Sequence, residues 1–114
     1  MNYSDQMIER VSVMLKAMAD GTRLKILQCL RDGEKSVNAI RQIVGGSQAN
    51  VSKHLSVLKR AGLVGNRRDG MNSLYSIADE RVFNICDSVC SSIGDQLERE
   101  QQLVQGLLDE APED

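Results

Sequence analysis

The 114-residue chain has no tryptophan, and its aromatic residues are confined to Tyr3, Tyr75 and Phe83. Its core must therefore be built from aliphatic side chains. It has one histidine, His54, so sites that need several imidazole ligands are excluded. Its one proline, Pro112, lies close to the C-terminus and leaves the preceding helical patterns unbroken. No apolar run approaches the ~20 residues that span a bilayer. Residues 1–9 are polar and carry no signal-peptide pattern. The expected location is the cytoplasm, with no membrane partner. The three cysteines, Cys29, Cys86 and Cys90, are there expected to be reduced thiols and not structural bridges. The chain also lacks a phosphate-binding glycine loop, a paired-carboxylate motif and a Cys-x-x-Cys redox motif, so an enzyme is not expected.

The net charge of −2 looks wrong for a polyanion binder, but the charge is unevenly distributed. Residues 45–73 hold Lys53, Lys59, Arg60, Arg67 and Arg68 against Asp69 alone. Residues 74–114 hold two arginines against ten acids. A positive field is thus concentrated in the middle of the chain, where it can steer association with an anionic partner.

That middle segment has helical punctuation. Ser47 is a good N-cap and Gly62 a good C′ stop. Between them Val51, Leu55 and Leu58 recur at i, i+4, i+7 and predict one buried side. Ala49, Lys53, Ser56 and Arg60 share the opposite side, which is cationic and sterically small towards its N-terminal end. Just upstream, Ser36 can cap a short helix, Val37 to Val44, with Ala39, Ile40, Ile43 and Val44 as its apolar side. Gly45-Gly46 then supplies a tight turn, as a helix-turn-helix requires. After Gly62, Leu63-Val64 opens a strand. Asp69-Gly70 signals a hairpin whose loop length Met71-Asn72 leaves open. Ser73-Leu74-Tyr75-Ser76-Ile77 alternates like a half-buried returning strand. The expected fold is mainly α with a small β-hairpin, a winged helix-turn-helix.

The flanks are helical. Ser4 caps a first helix, Asp5 to Met18, with Met7, Val11, Met14, Leu15 and Met18 as its apolar stripe. Asp20 caps a second, Thr22 to Leu30, in which Leu24, Ile26, Leu27 and Leu30 cover much of the circumference and suggest the central buried helix. Beyond the wing, a long last helix carries Val82, Cys86, Val89, Ile93 and Leu97, prolonged by Val104, Leu107 and Leu108. So long a stripe exceeds what one small domain covers. It predicts a dimer seam shared with the first helix. Residues 1–110 are thus expected as one winged-helix domain with terminal dimerisation helices, and residues 111–114 as a disordered tail.

Leu15 to Leu27, with its Ala19-Asp20-Gly21-Thr22-Arg23 core, resembles the opening of the ArsR/SmtB family of bacterial repressors. Gly46 to Val64 and the Arg67-to-Tyr75 hairpin are similar to that family's recognition helix and wing. The resemblance implies a homodimeric repressor on duplex operator DNA, released by a metal, a metalloid or a thiol-reactive species, with no cofactor required. The family's Cys-x-Cys motif would fall at Ser36-Val37-Asn38, where there is no cysteine. Its C-terminal zinc site uses histidines, which the last helix lacks. His54 matches the family's recognition-helix histidine. A sulfur-sensing branch pairs a cysteine of the second helix with one of the last; Cys29 lies one residue beyond that position, which Gln28 fills.

From the residues themselves, Gln48, Ala49, Ser52 and Lys53 are expected groove readers. Lys59, Arg60, Arg67 and Arg68 are expected phosphate contacts, with Asn72 and Ser73 as wing contacts. His54 joins this DNA-binding set, although its position at the border of the buried side equally allows packing or a backbone hydrogen bond. Cys86 and Cys90, four apart, share a helix face and with Cys29 form the candidate inducer, redox or soft-metal set. Equally, all three cysteines can be small core hydrophobes. A protein-interaction module on the same scaffold, docking through the last helix, is the alternative to a DNA binder. Salt-dependent duplex binding separates the two.

Overall fold

The computed structural model describes residues 2–110. The expected tail, 111–114, lies outside them. The chain forms two compact units, divided between Asp79 and Glu80.

The first unit runs α1 (Asp5–Met18), α2 (Gly21–Cys29), β1 (Lys35–Ser36), α3 (Val37–Val44), α4 (Gln48–Arg60), β2 (Val64–Asp69) and β3 (Asn72–Ile77). Each helix starts where a short polar side chain accepts an otherwise orphaned backbone N–H. The Ser4, Ser36 and Ser47 hydroxyls take the N–H groups of Met7, Ala39 and Asn50, each at 3.1 Å. The Asp20 carboxylate takes that of Arg23 at 3.0 Å. Helix α4 ends in a Schellman closure. Leu63 N–H reaches the Leu58 carbonyl at 2.9 Å and Gly62 N–H that of Lys59 at 3.0 Å. Gly62 sits at φ +78°, a left-handed conformation that a Cβ would strain.

The core lies where α2, α3 and α4 meet. Ile26 and Leu27 of α2, Ile40 of α3, and Val51, Leu55 and Leu58 of α4 are wholly buried. Each such side chain contributes roughly 1.5–3 kcal/mol relative to exposure, so this aliphatic cluster seats α4 with its other side outward. Two sequence expectations need correction. Ile43 was placed on the buried side of α3 but is largely exposed, and Leu24 of α2 is 39 % exposed.

The sheet has three antiparallel strands in the order β1-β3-β2. The short β1 has no sequence signal: it is two residues long, and its second, Ser36, is also the α3 cap. Asp69 pairs with Asn72, so the wing turns on two residues, Gly70-Met71. Only Gly70 has positive φ, +61°, the pattern of a type II′ turn.

Along α1, Met18 is buried, but Met7, Val11, Met14 and Leu15 are between 38 % and 49 % exposed in the single chain. The second unit is α5 (Arg81–Asp109), 29 residues long. Val82 and Phe83 are buried near its start, while Val89, Ile93, Leu97, Val104, Leu107 and Leu108 are exposed. Among the described residues, no helix is long and apolar enough to cross a membrane.

Candidate nucleic-acid interface

Burial of Val51, Leu55 and Leu58 leaves Gln48, Ala49, Lys53, Ser56, Lys59 and Arg60 on the exposed surface of α4, with Ser52 half-buried beside them. The first turn is thus lined by small or uncharged groups and the last by cations. Arg60 lies back along its own helix, its Nε donating to the Ser56 carbonyl at 3.4 Å. Helix α4 enters from the Gly45-Gly46 turn, where the Gly45 N–H caps the Arg41 carbonyl at 2.8 Å.

On the wing, Arg67 pairs with Leu74 and Arg68 with Ser73 across the ladder, so the two arginines point to opposite faces of the sheet. Arg68 and Asn72 are exposed. Ser73 is half-buried, and its hydroxyl accepts from Asn66 Nδ2 at 2.9 Å. Arg67 is held in a fork. Its Nε donates to Glu34 Oε2 at 3.0 Å and its Nη2 to Glu34 Oε1 at 2.5 Å. That arginine holds the Glu34 carboxyl below its ordinary range. Lys35 does the same to Asp32 through an i,i+3 pair.

His54, for which the sequence allows a DNA contact, packing or a hydrogen bond, makes internal contacts here. Its side chain is only 15 % exposed. Its Nδ1 lies 3.3 Å from Arg23 Nη1 and 3.9 Å from Asp20 Oδ1. Arginine has only donors, so Nδ1 accepts in this contact. The same guanidinium donates from Nε to the Ala17 carbonyl at 2.6 Å and from Nη2 to the Lys16 carbonyl at 3.3 Å. Arg23 therefore caps the end of α1 while touching α4. The Asp20 carboxyl is lowered, first by the Arg23 backbone N–H and then by the Arg23 charge. The sequence offers no signal for the Arg23–His54 and Arg67–Glu34 contacts, whose partners lie 31 and 33 residues apart, beyond any periodicity.

The thiols occupy two settings. Cys29, at the end of α2, is half-buried, and burial pushes its thiol up. Cys86 is half-buried and Cys90 exposed, one turn apart on α5. Among the described residues, no group of three or more His, Cys, Asp or Glu side chains is assembled to hold a metal ion. The start of α3, where the family's Cys-x-Cys motif would stand, instead presents the Ser36 cap. The residues there do not fit a thiolate-bound metal.

A helix-turn-helix domain family matches residues 18–64. The chain is 41 % identical over 79 residues to the HTH-type transcriptional regulator Rv0324 of Mycobacterium tuberculosis, covering 69 % of this chain and 35 % of that protein. It is 44 % identical over 70 residues to the "probable mercury resistance operon repressor" of Streptomyces lividans, covering 61 % and 56 %. The match thus spans less than two thirds of either relative. Among solved structures, a homodimeric winged helix-turn-helix DNA-binding domain from Mycobacterium bovis, a fragment of a possible ArsR-family transcriptional regulator, superposes with a TM-score of 0.75 at 36 % identity. That superposition covers 86 % of this chain and 94 % of the fragment. With the Leu15–Leu27 opening, the Gly45-Gly46 turn and the β2–β3 wing in place, the chain belongs to the ArsR/SmtB family of winged helix-turn-helix transcriptional regulators.

Proposed function

We propose that this protein is a homodimeric transcriptional repressor, acting in the cytoplasm without a required cofactor, that binds an inverted-repeat DNA operator. The observation that carries the reading is the outward side of α4. A small, uncharged first turn is followed by cations, all raised on a wholly buried Val51-Leu55-Leu58 base. A recognition helix needs short groups near base edges and cations reaching phosphates. Gln48, Ala49, Ser52 and Lys53 read the groove. Lys59, Arg60 and Arg68 contact phosphates, and Asn72 and Ser73 lie along the wing. The exposed apolar residues of α1 and α5 supply the surface for a second copy. Two-fold protein symmetry then requires two-fold operator symmetry, with half-sites one helical turn or a multiple apart.

Release is proposed to follow modification or bridging of thiols by a thiophilic metal or metalloid, a reactive sulfur species or an oxidant. Cys86 and Cys90 are the first candidates because they stand one turn apart with Cys90 exposed. Cys29 is the third. A coupling of ~1–3 kcal/mol would change operator occupancy substantially.

The test selects duplexes from a random pool, then titrates the reduced complex with arsenite, cadmium, zinc, a persulfide donor and peroxide. An inverted repeat bound by two chains is expected, with release weakened in Cys86→Ser or Cys90→Ser. A single chain bound to a non-repeated site refutes the dimer reading. Parent-like release in Cys86→Ser, Cys90→Ser and Cys29→Ser alike refutes the thiol reading.

A further inference from the structure

We propose that Arg67 is a positioning residue that, with Glu34, struts the wing, and that Arg68 is the wing arginine left to neutralise DNA phosphate. This rests on the DNA-binding reading and revises the equal role that the sequence suggests for the two arginines.

The geometry of the pair carries the inference. A carboxylate and a guanidinium meet fork to fork through Arg67 Nε and Nη2, at 3.0 and 2.5 Å. That edge is one of the two through which a guanidinium makes a bidentate contact with phosphate. Engaging DNA through it would displace Glu34 and leave an unpaired carboxylate beside the polyanion. The register explains how the pair forms. Arg67 stands opposite Leu74, and Leu74 opposite Ser36, so the three residues form one row across β2, β3 and β1. Glu34 lies two residues before Ser36. Arg67 therefore reaches across β3 and ties β2, at one sheet edge, to the chain entering β1 at the other. Of the cations in that entry, Lys35 is paired with Asp32, and Arg31 donates to Gln28 Oε1 at 3.1 Å. Arg68 projects from the opposite face of the hairpin, exposed, and makes no ion pair with any described residue. A charge count of the wing gives two arginines, whereas its geometry leaves one to the ligand.

The experiment measures affinity against salt concentration for the full chain on a mixed-sequence duplex about three helical turns long. The parent is compared with Arg67→Ala, Arg68→Ala and the charge-swapped pair Glu34→Arg/Arg67→Glu. Each phosphate contact adds ~0.9 to the slope of log affinity against log salt on B-DNA. The strut predicts a slope lower by about that amount per chain in Arg68→Ala and unchanged in Arg67→Ala. It also predicts that the charge-swapped pair, which rebuilds the fork in reverse, recovers affinity lost in Arg67→Glu alone, a single variant measured beside it. A slope that falls in Arg67→Ala as far as in Arg68→Ala, with no recovery in the swap, overturns the inference and makes Arg67 a phosphate contact. A parent with no salt-dependent duplex binding overturns the DNA-binding reading itself, which is a separate outcome. Thermal melts of each variant identify any that fail to fold.

Discussion

His54→Ala separates a reading-head residue from an internal brace. The imidazole is 15 % exposed, and its Nδ1 accepts from Arg23 Nη1 at 3.3 Å. Hydrogen bonds to charged groups contribute ~1.5–3 kcal/mol net. At 3.3 Å this one is long, and Arg23 keeps the Ala17 and Lys16 carbonyls when it is lost. The low end of the range applies, so a destabilisation of about 1–2 kcal/mol is expected. For a domain near 100 residues each kcal/mol lowers the melting temperature by about 4 °C, giving a fall of roughly 4–8 °C. Protein concentration must be held fixed, because dimerisation would couple to stability. His54→Asn, whose Oδ1 can replace Nδ1 as acceptor, should recover part of the loss. The salt slope of duplex binding should stay at the parent value. If His54→Ala melts like the parent while its salt slope falls by ~0.9 per chain, the histidine contacts phosphate and the brace is wrong.

Leu55→Ala, at the wholly buried centre of α4, should cost about 2–5 kcal/mol, read by urea denaturation; a cost under about 1 kcal/mol would mean that α4 is not seated on this cluster. The Asp20 carboxyl is lowered in the fold, so its contribution is present above the ordinary carboxylate range and lost as the pH falls through and below that range. Asp20→Asn keeps an N-cap but removes the titration, so its melting temperature should fall less steeply on acidification than the parent's.

Much of this architecture can be read along the chain. The bounds of α1 and α3 and the caps at Ser4, Asp20, Ser36 and Ser47 are local events, decided by one side chain and a backbone N–H three residues on. The buried side of α4 follows from a period of 3.6 residues, and its cationic side is what remains. The family follows from two such local stretches, the Leu15–Leu27 opening and the helix-turn-helix. Side-chain partnerships across long separations are different in kind. Nothing in the spacing tells that Glu34 takes the fork of Arg67, that His54 meets Arg23, or that two residues before α3 pair with the wing. Those depend on strand order and on which helix faces meet, and both arise only once the aliphatic core has closed. The sequence by itself determines the elements, their exposed charge and the class of partner they suit. The tertiary structure decides which of those charges are already spent on one another, because a guanidinium that meets a carboxylate inside the fold no longer offers the same edge to a phosphate.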